Sequence, residues 1–278
     1  MKFLKKIINF VIFFLLQINI LKYPKKSLRV LMFHDISNLD NFNKQILFLK
    51  KYWTFITPDE FYKMCDKKKK IDKRYLLLTF DDGFKSNLYV AQNILKKHNI
   101  KAIFFIPLQF LLIKNKIKKE NFIRNNLLVN PVCKNMNNMN ISDVKKIISL
   151  KHKIGAHTYS HTNLKNINNK KEIIFEIVSS ANKLQNLLKN KIINFSFSFG
   201  RLKHISPQML LLSKKRFNFL YTGIRGDNLN IRQLIFRDNI LPADNNFDLY
   251  TYLSGSLDFL YSKERKMLEL NFPKNINK

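Results

Sequence analysis

Asp81 and Asp82 close the apolar run Leu76-Leu77-Leu78-Thr79-Phe80 and are followed at once by Gly83. A run of that length reads as a buried strand, and packing a core gives no reason to end it with two like charges that repel. Chemistry does give one. Successive strand side chains point to opposite faces, so the two carboxylates cannot share one role while the strand stays regular. Gly83 then lets the backbone turn. One carboxylate can hold a cation while its neighbour takes a proton from water beside that cation. The competing structural reading is a plain strand-end turn cornered at Asp82-Gly83.

Three of the six histidines sit at comparable places. His34, with Asp35 after it, follows Val30-Leu31-Met32-Phe33. His157 follows Ile154-Gly155-Ala156, and His161 comes four residues later in His-Thr-Tyr-Ser-His. His98, His152 and His204 fall in polar, helix-end or loop contexts. A lone strand-end histidine is more often structural than a ligand. Two of them at this spacing, with a strand-end aspartate from elsewhere, form a different proposition: two imidazoles and one carboxylate leave a coordination position open, as catalytic zinc requires. The two cysteines, Cys65 and Cys133, fit neither a disulfide framework nor a four-thiolate zinc site.

The elements that must position these groups alternate. Strands are expected at 28–33, 75–80, 101–106, 153–157, 192–197 and, weakly, 217–221. Helices are expected at 42–52, 86–98, 142–150, 171–188, 207–216 and 247–261. Thr57-Pro58-Asp59-Glu60 reads as a helix start, with Thr57 as cap and Glu60 closing a capping box. Ser142 and Ser206 are expected caps. In the helix over 171–188, Ile174, Ile177, Ala181, Leu184 and Leu188 are spaced as one apolar face. Residues 111–140 are polar and irregular, an excursion with some helix. Repeated strand and helix units argue for an α/β fold with a parallel sheet, open or closed into a barrel. In such folds ligands bind beyond the carboxyl ends of the strands, where the candidate residues lie.

Thr79-Phe80-Asp81-Asp82-Gly83 and His157-Thr158-Tyr159-Ser160-His161 resemble the first two motifs of the polysaccharide deacetylases, carbohydrate esterase family 4. The intervening Ala-Ile-Phe-Phe-Ile-Pro strand is similar too, and the resemblance runs from about residue 28 to 225. It implies a distorted (β/α) barrel of about seven parallel strands and a divalent metal, most often zinc, held by Asp82, His157 and His161. It implies Asp81 as general base and hydrolysis of an acetyl group, usually the N-acetyl of an amino sugar. Phe195-Ser196-Phe197-Ser198-Phe199-Gly200 resembles the third motif, and Phe199 would supply a backbone N–H to the oxyanion. Ser196 stands where many members have Arg, which removes a partner for Asp81, and Ser198 stands where they have Pro. Val-Leu-Met-Phe-His34-Asp35 resembles the subgroup whose His-Asp motif opens the domain, with His34 as general acid and Asp35 as its orienter. The alternative is a degenerate member that binds glycan without hydrolysing it. A metal phosphohydrolase with a His-Asp pair is disfavoured, because that pair belongs on a helix and this one ends an apolar strand.

The 278 residues carry 50 Lys plus Arg against 19 Asp plus Glu, a net +31. That field attracts anionic surfaces. Its basic residues are scattered, with no zinc-finger spacing or RNA-binding aromatic motif, so no specific nucleic acid is expected. Lys2, Lys5 and Lys6 precede an apolar stretch from Ile7 to Leu21, and Lys22, Lys25 and Lys26 follow it. Fifteen residues reach only ~22 Å as a helix, short of the ~30 Å hydrocarbon core. No small-residue cleavage site follows. Residues 1–27 are therefore expected to be an uncleaved hydrophobic anchor or interfacial helix at the bacterial inner membrane or cell envelope, and residues 28–278 the catalytic domain. The expected substrate is an acetylated glycan or glycolipid.

Overall fold

The computed structural model describes residues 24–133, 135–230 and 233–272, with 7, 8, 10–12, 14 and 15 before them. Nine strands form one sheet among these residues, and every pairing is parallel. They are β1 (Ser27–Phe33), β2 (Thr54–Phe55), β3 (Arg74–Phe80), β4 (Ala102–Ile106), β5 (Lys153–Ala156), β6 (Asn194–Ser196), β7 (Phe219–Tyr221), β8 (Leu234–Ile235) and β9 (Asp238–Asn239). The order is β8-β7-β6-β5-β4-β3-β1-β9, with β2 on the lower half of β3. The stretch 234–239 pairs through its first half with β7 and through its second with β1. One short segment thus bridges the two edges of the curled sheet, as the distorted barrel expected from the sequence requires.

Alternation along the strands sorts side chains into two environments. Leu28, Val30, Tyr75, Leu77, Ile103, Phe105, Phe219, Tyr221 and Ile235 fill the barrel interior. Leu31, Phe33, Leu76, Leu78, Phe80, Phe104 and Ile154 face the surrounding helices and form the larger core. Gly155 is required where β5 crosses the interior: a Cβ there would lie 2.4 Å from the Phe105 ring.

Two helices start where their caps predict. Thr57 accepts from the Glu60 N–H while Glu60 returns a bond to the Thr57 N–H, and Ser206 caps Pro207–Arg216. The cap expected at Ser142 is instead Asn140, which forms a capping box with Asp143 and starts the helix Ile141–Ser149. The helices beginning at Lys85 and Lys170 each pass through a π turn, at Ala91–Leu95 and Phe175–Ser179. The second π turn shifts the apolar stripe, so Ile173 is buried in place of Ile174. The helix expected over 247–261 stops at Ser254, where Gly255 takes a left-handed turn, and a further helix, Ser262–Asn271, follows. The excursion over 111–140 contains the helix Lys116–Asn125, whose Phe122 and Ile123 form a small apolar cluster with Leu127, Phe84 and Phe110.

Of the 1–27 segment only seven residues before Pro24 are described, so the expected anchor lies largely outside the described residues. Those seven are helical, and Ile7, Ile8, Phe10, Val11 and Phe14 are exposed. No helix of the described residues is long and apolar enough to cross a membrane.

Candidate active site

The inward-facing series of β3 is Tyr75, Leu77, Thr79 and then Asp81, so strand alternation alone aims Asp81 into the barrel mouth. Regular alternation would send Asp82 outward. The backbone prevents this by turning left-handed at Asp82 (φ 71°), so both carboxylates reach one cavity. The turn expected at Gly83 thus begins one residue earlier, at Asp82. The cavity, of ≈110 Å³, is lined by His34, Asp81, Asp82, His157, His161, Phe199 and Arg237 among others.

Asp82, His157 and His161 bring one ligand atom each within 4.8 Å of one another, all three side chains buried. His157 Nδ1 lies 2.8 Å from the Ser196 carbonyl and His161 Nδ1 2.9 Å from the Asn126 carbonyl. A carbonyl oxygen only accepts, so both Nδ1 atoms donate and both Nε2 lone pairs are left to face Asp82 Oδ1, at 3.5 and 3.4 Å. That oxygen is buried and has no hydrogen-bond partner among the described residues. Three acceptors aimed at one point call for positive charge between them. A proton on His157 Nε2 also meets that demand: burial lowers the ring, yet Asp81 and Asp82 together raise it above its ordinary value. Burial opposes ionisation of Asp82 too, but His157 and His161 hold its carboxyl far below the usual carboxylate range. His161 goes the other way: burial, aided by His157, pushes it down to about 4 against the pull of Asp82. It is a neutral imidazole with a free lone pair. The donor set and its orphaned oxygen fit a divalent cation.

Asp81 is not short of a partner. Arg237, from the bridging segment, grips it through two bonds, Nη1 to Oδ1 at 2.7 Å and Nη2 to Oδ2 at 2.8 Å. Ser196 Oγ accepts from the same guanidinium at 2.7 Å and donates to Asp81 at 3.2 Å. The small side chain at 196 thus makes room for an arginine arriving from the link between β8 and β9, which corrects the expectation that losing Arg there deprives Asp81 of its orienting group. Burial by itself would raise the Asp81 carboxyl; Arg237, with help from His157, outweighs it and keeps the group below its ordinary value. The sequence reading missed Arg237 altogether. Its one advance signal was a charged residue inside an apolar stretch, Leu234-Ile235-Phe236-Arg237.

Two further residues hold the histidine loop. Glu176, in the π turn, accepts from the backbone N–H groups of Tyr159 and Ser160 and from the Ser160 hydroxyl at 2.7 to 3.0 Å. Thr158 Oγ1 accepts from the His161 N–H and meets Ser198 Oγ at 3.1 Å. Ser198 therefore ties the third motif to the second by a hydroxyl pair. Phe199 sits at φ 61° with its ring 4.9 Å from that of His161, and its N–H has no backbone partner among the described residues. His34 lines the cavity. Asp35 does not orient it: its carboxylate accepts from Ser86 Oγ at 2.7 Å, and no hydrogen bond joins it to His34 among the described residues.

Comparison with known proteins bears on the sequence family and the fold. The sequence profile of the family described as polysaccharide deacetylase covers residues 68–214. The fold is similar to a Streptococcus pyogenes deacetylase, PplD, solved with acetate (TM-score 0.62, 18% identity, covering 84% of this chain and 99% of that one). It is also similar to IcaB from Ammonifex degensii (0.64, 17%, 82% and 97%) and to a de-N-acetylase from Aggregatibacter actinomycetemcomitans (0.64, 14%, 82% and 100%). No curated protein sequence matches. The profile spans more than half of the sequence and includes both aspartates and both site histidines, and the chain belongs to the polysaccharide deacetylase family.

Proposed function

We propose that this carbohydrate deacetylase is a metal-dependent enzyme that removes N-acetyl groups from a cell-envelope glycan or glycolipid. The observation that supports it best is the meeting, in one small cavity, of an orphaned carboxylate oxygen, two oriented imidazoles and a second carboxylate locked by Arg237. Asp82, His157 and His161 would hold the cation, for which zinc suits one carboxylate and two imidazoles. A bound cation supplies a Lewis acid that polarises the acetyl carbonyl and acidifies water enough for a weak base to deprotonate it.

The residues of the chain do the rest. Asp81 takes the proton as the water oxygen bonds to the acetyl carbon, and Arg237 keeps its carboxylate ionised and aimed. The Phe199 N–H donates to the developing oxyanion. As the carbon–nitrogen bond breaks, His34 gives its proton to the leaving amine, so acetate and a free amine depart.

Metal analysis and acetate release test this together. The zinc-loaded chain is expected to hold about one equivalent and to release acetate from N-acetylglucosamine oligomers. Asp82→Ala should lose the metal. Asp81→Asn should keep it while kcat falls by roughly 10²- to 10⁴-fold, the usual worth of a general base. Full activity in Asp81→Asn would overturn the assignment of the base, and metal binding without acetate release from any acetylated glycan would favour a glycan-binding role.

The enzyme is placed, in the same reading, at an anionic membrane surface. Residues 1–27 make the contact and the barrel from residue 28 carries the chemistry. Support comes from the exposed apolar residues Ile7, Ile8, Phe10, Val11 and Phe14 lying between lysine clusters on either side.

A further inference from the structure

Arg237 is aimed from a stretch of backbone that no strand ladder holds. β8 ends at Ile235, opposite Tyr221 of β7, and β9 begins at Asp238, opposite Leu31 of β1. Phe236 and Arg237 lie between, where the chain leaves one edge of the curled sheet for the other. A buried backbone must still place its N–H and C=O groups there.

Asn228 supplies what the ladder does not. Its Oδ1 accepts from the Phe236 N–H at 2.9 Å, and its Nδ2 donates to the Phe236 carbonyl at 3.0 Å and to the Leu28 carbonyl at 3.2 Å. The residue is buried, and a short amide is the side chain that offers an acceptor and two donors for this exchange. The Arg237 N–H belongs to the same peptide as the Phe236 carbonyl and donates to the Ile224 carbonyl at 2.9 Å. A peptide is planar, so holding its oxygen and its N–H fixes the plane from which the Arg237 side chain departs. The loop that carries Asn228 is itself fastened to β1: Asp227 Oδ1 accepts from the Leu28 N–H at 3.3 Å, and the Asn228 N–H donates to the Leu28 carbonyl at 3.0 Å.

Past that plane the arginine has little freedom left. Its Nε donates to the Thr222 carbonyl at 2.7 Å, its guanidinium carbon lies 5.3 Å from the centre of the Phe105 ring, and both Nη atoms bond Asp81. Without the amide of residue 228, the Phe236 N–H and carbonyl would be left buried and unpaired, and the plane would turn to satisfy them. The guanidinium would turn with it.

We propose that Asn228 is a positioning residue of the deacetylase: by holding the Phe236–Arg237 peptide it aims the Arg237 guanidinium at Asp81, and so sets the rate of the chemical step without touching substrate or cation. The proposal rests on the deacetylase reading above.

The test uses the zinc-loaded chain with Asn228→Ala, and with Asn228→Asp, which keeps the volume and the acceptor but not the donor. On β-1,4-linked N-acetylglucosamine tetramer, kcat per bound zinc should fall by about 10- to 100-fold with KM within about twofold, as a misaimed base predicts and a smaller folded fraction does not. A second measurement needs no turnover. The Nε–H of Arg237, identified by its loss in Arg237→Gln, should give a sharp NMR signal in the wild type that exchange with water broadens in both variants. The Nδ2 protons of Asn228 should exchange slowly in the wild type, and rapid exchange there would by itself dismiss the clamp. An unchanged kcat per bound zinc, a loss taken through KM, or an Arg237 signal untouched by either substitution would overturn the proposal. If Asn228→Ala does not fold, the near-isosteric Asn228→Asp decides by the same measurements. If none of these proteins releases acetate, the reaction reading fails instead, and the NMR signals alone decide whether Asn228 holds Arg237.

Discussion

Asp81, the proposed base, shows how its neighbours set the charge of a buried carboxylate. A buried carboxylate would ordinarily hold its proton, and the two-pronged grip of Arg237, helped by His157, keeps this one ionised, as the proposed base must be. Because the folded value is depressed, the stability this pair gives is present above the ordinary carboxylate range and is lost as pH falls through the folded value. Arg237→Gln removes the grip and leaves the carboxylate uncompensated. Its acidic limb in the pH dependence of kcat/KM should therefore move up by a unit or more. Stability at pH 7 should drop by about 3 to 5 kcal/mol, the usual loss on breaking a buried pair. Ser196→Ala, which deletes the weaker of the two contacts to Asp81, should shift the same limb by less. An unmoved limb in Arg237→Gln, measured on protein verified to be folded, would show that the arginine is structural only.

At the scale of elements, what was legible in the sequence was what local rules govern. Thr57-Pro58-Asp59-Glu60 and Ser206-Pro207 announce helix starts because capping is settled within four residues. Asp81, Asp82, His157 and His161 stand out because strand ends are where such folds put chemistry. The bridging segment was not legible, because β8 and β9 are two residues each and too short to show a period; their pairing is decided by β7 and β1. Nor was Arg237, whose partner lies 156 residues away. The left-handed turn at Asp82 is likewise fixed by the assembled mouth. His152 was read as a polar helix-end residue, yet it is buried, and its Nδ1 accepts from the Ala102 N–H at 3.1 Å, joining the end of one helix to the start of β4. Burial, with Lys101 nearby, pushes it down to about 4 from an ordinary 6.5. The unfolded chain thus takes a proton that the folded one refuses, and the stability is complete above about pH 6.5 and lost as pH falls toward 4. Urea unfolding should show the wild type losing about 2 kcal/mol more than His152→Asn between pH 7 and pH 5. Parallel losses would mean that the ring is not held neutral.

Across the whole molecule, a net charge of +31 attracts anionic surfaces, and the question is whether that attraction is diffuse or organised. The N-terminal helix argues for organisation: Phe10 meets Phe247 edge to face at 5.9 Å, so the stretch touches the catalytic domain at that point while most of its described residues stay exposed. A surface contact made there would orient the barrel as well as tether it. Scattered lysines act over about 8 Å at physiological salt, whereas an apolar face is insensitive to screening. A variant beginning at Pro24 removes Lys2, Lys5, Lys6 and Lys22 together with that face. At roughly 1 kcal/mol per lysine near an anionic surface, its binding to phosphatidylglycerol vesicles should weaken by at least about 100-fold. The intact chain should keep a salt-resistant fraction of binding that the variant lacks, and turnover of a soluble acetylated oligomer should be the same for both. Sedimentation with vesicles at low and high salt reads the first two results. Undiminished, equally salt-sensitive binding by the shortened chain would assign the membrane attraction to the basic surface of the barrel and not to its N-terminal helix.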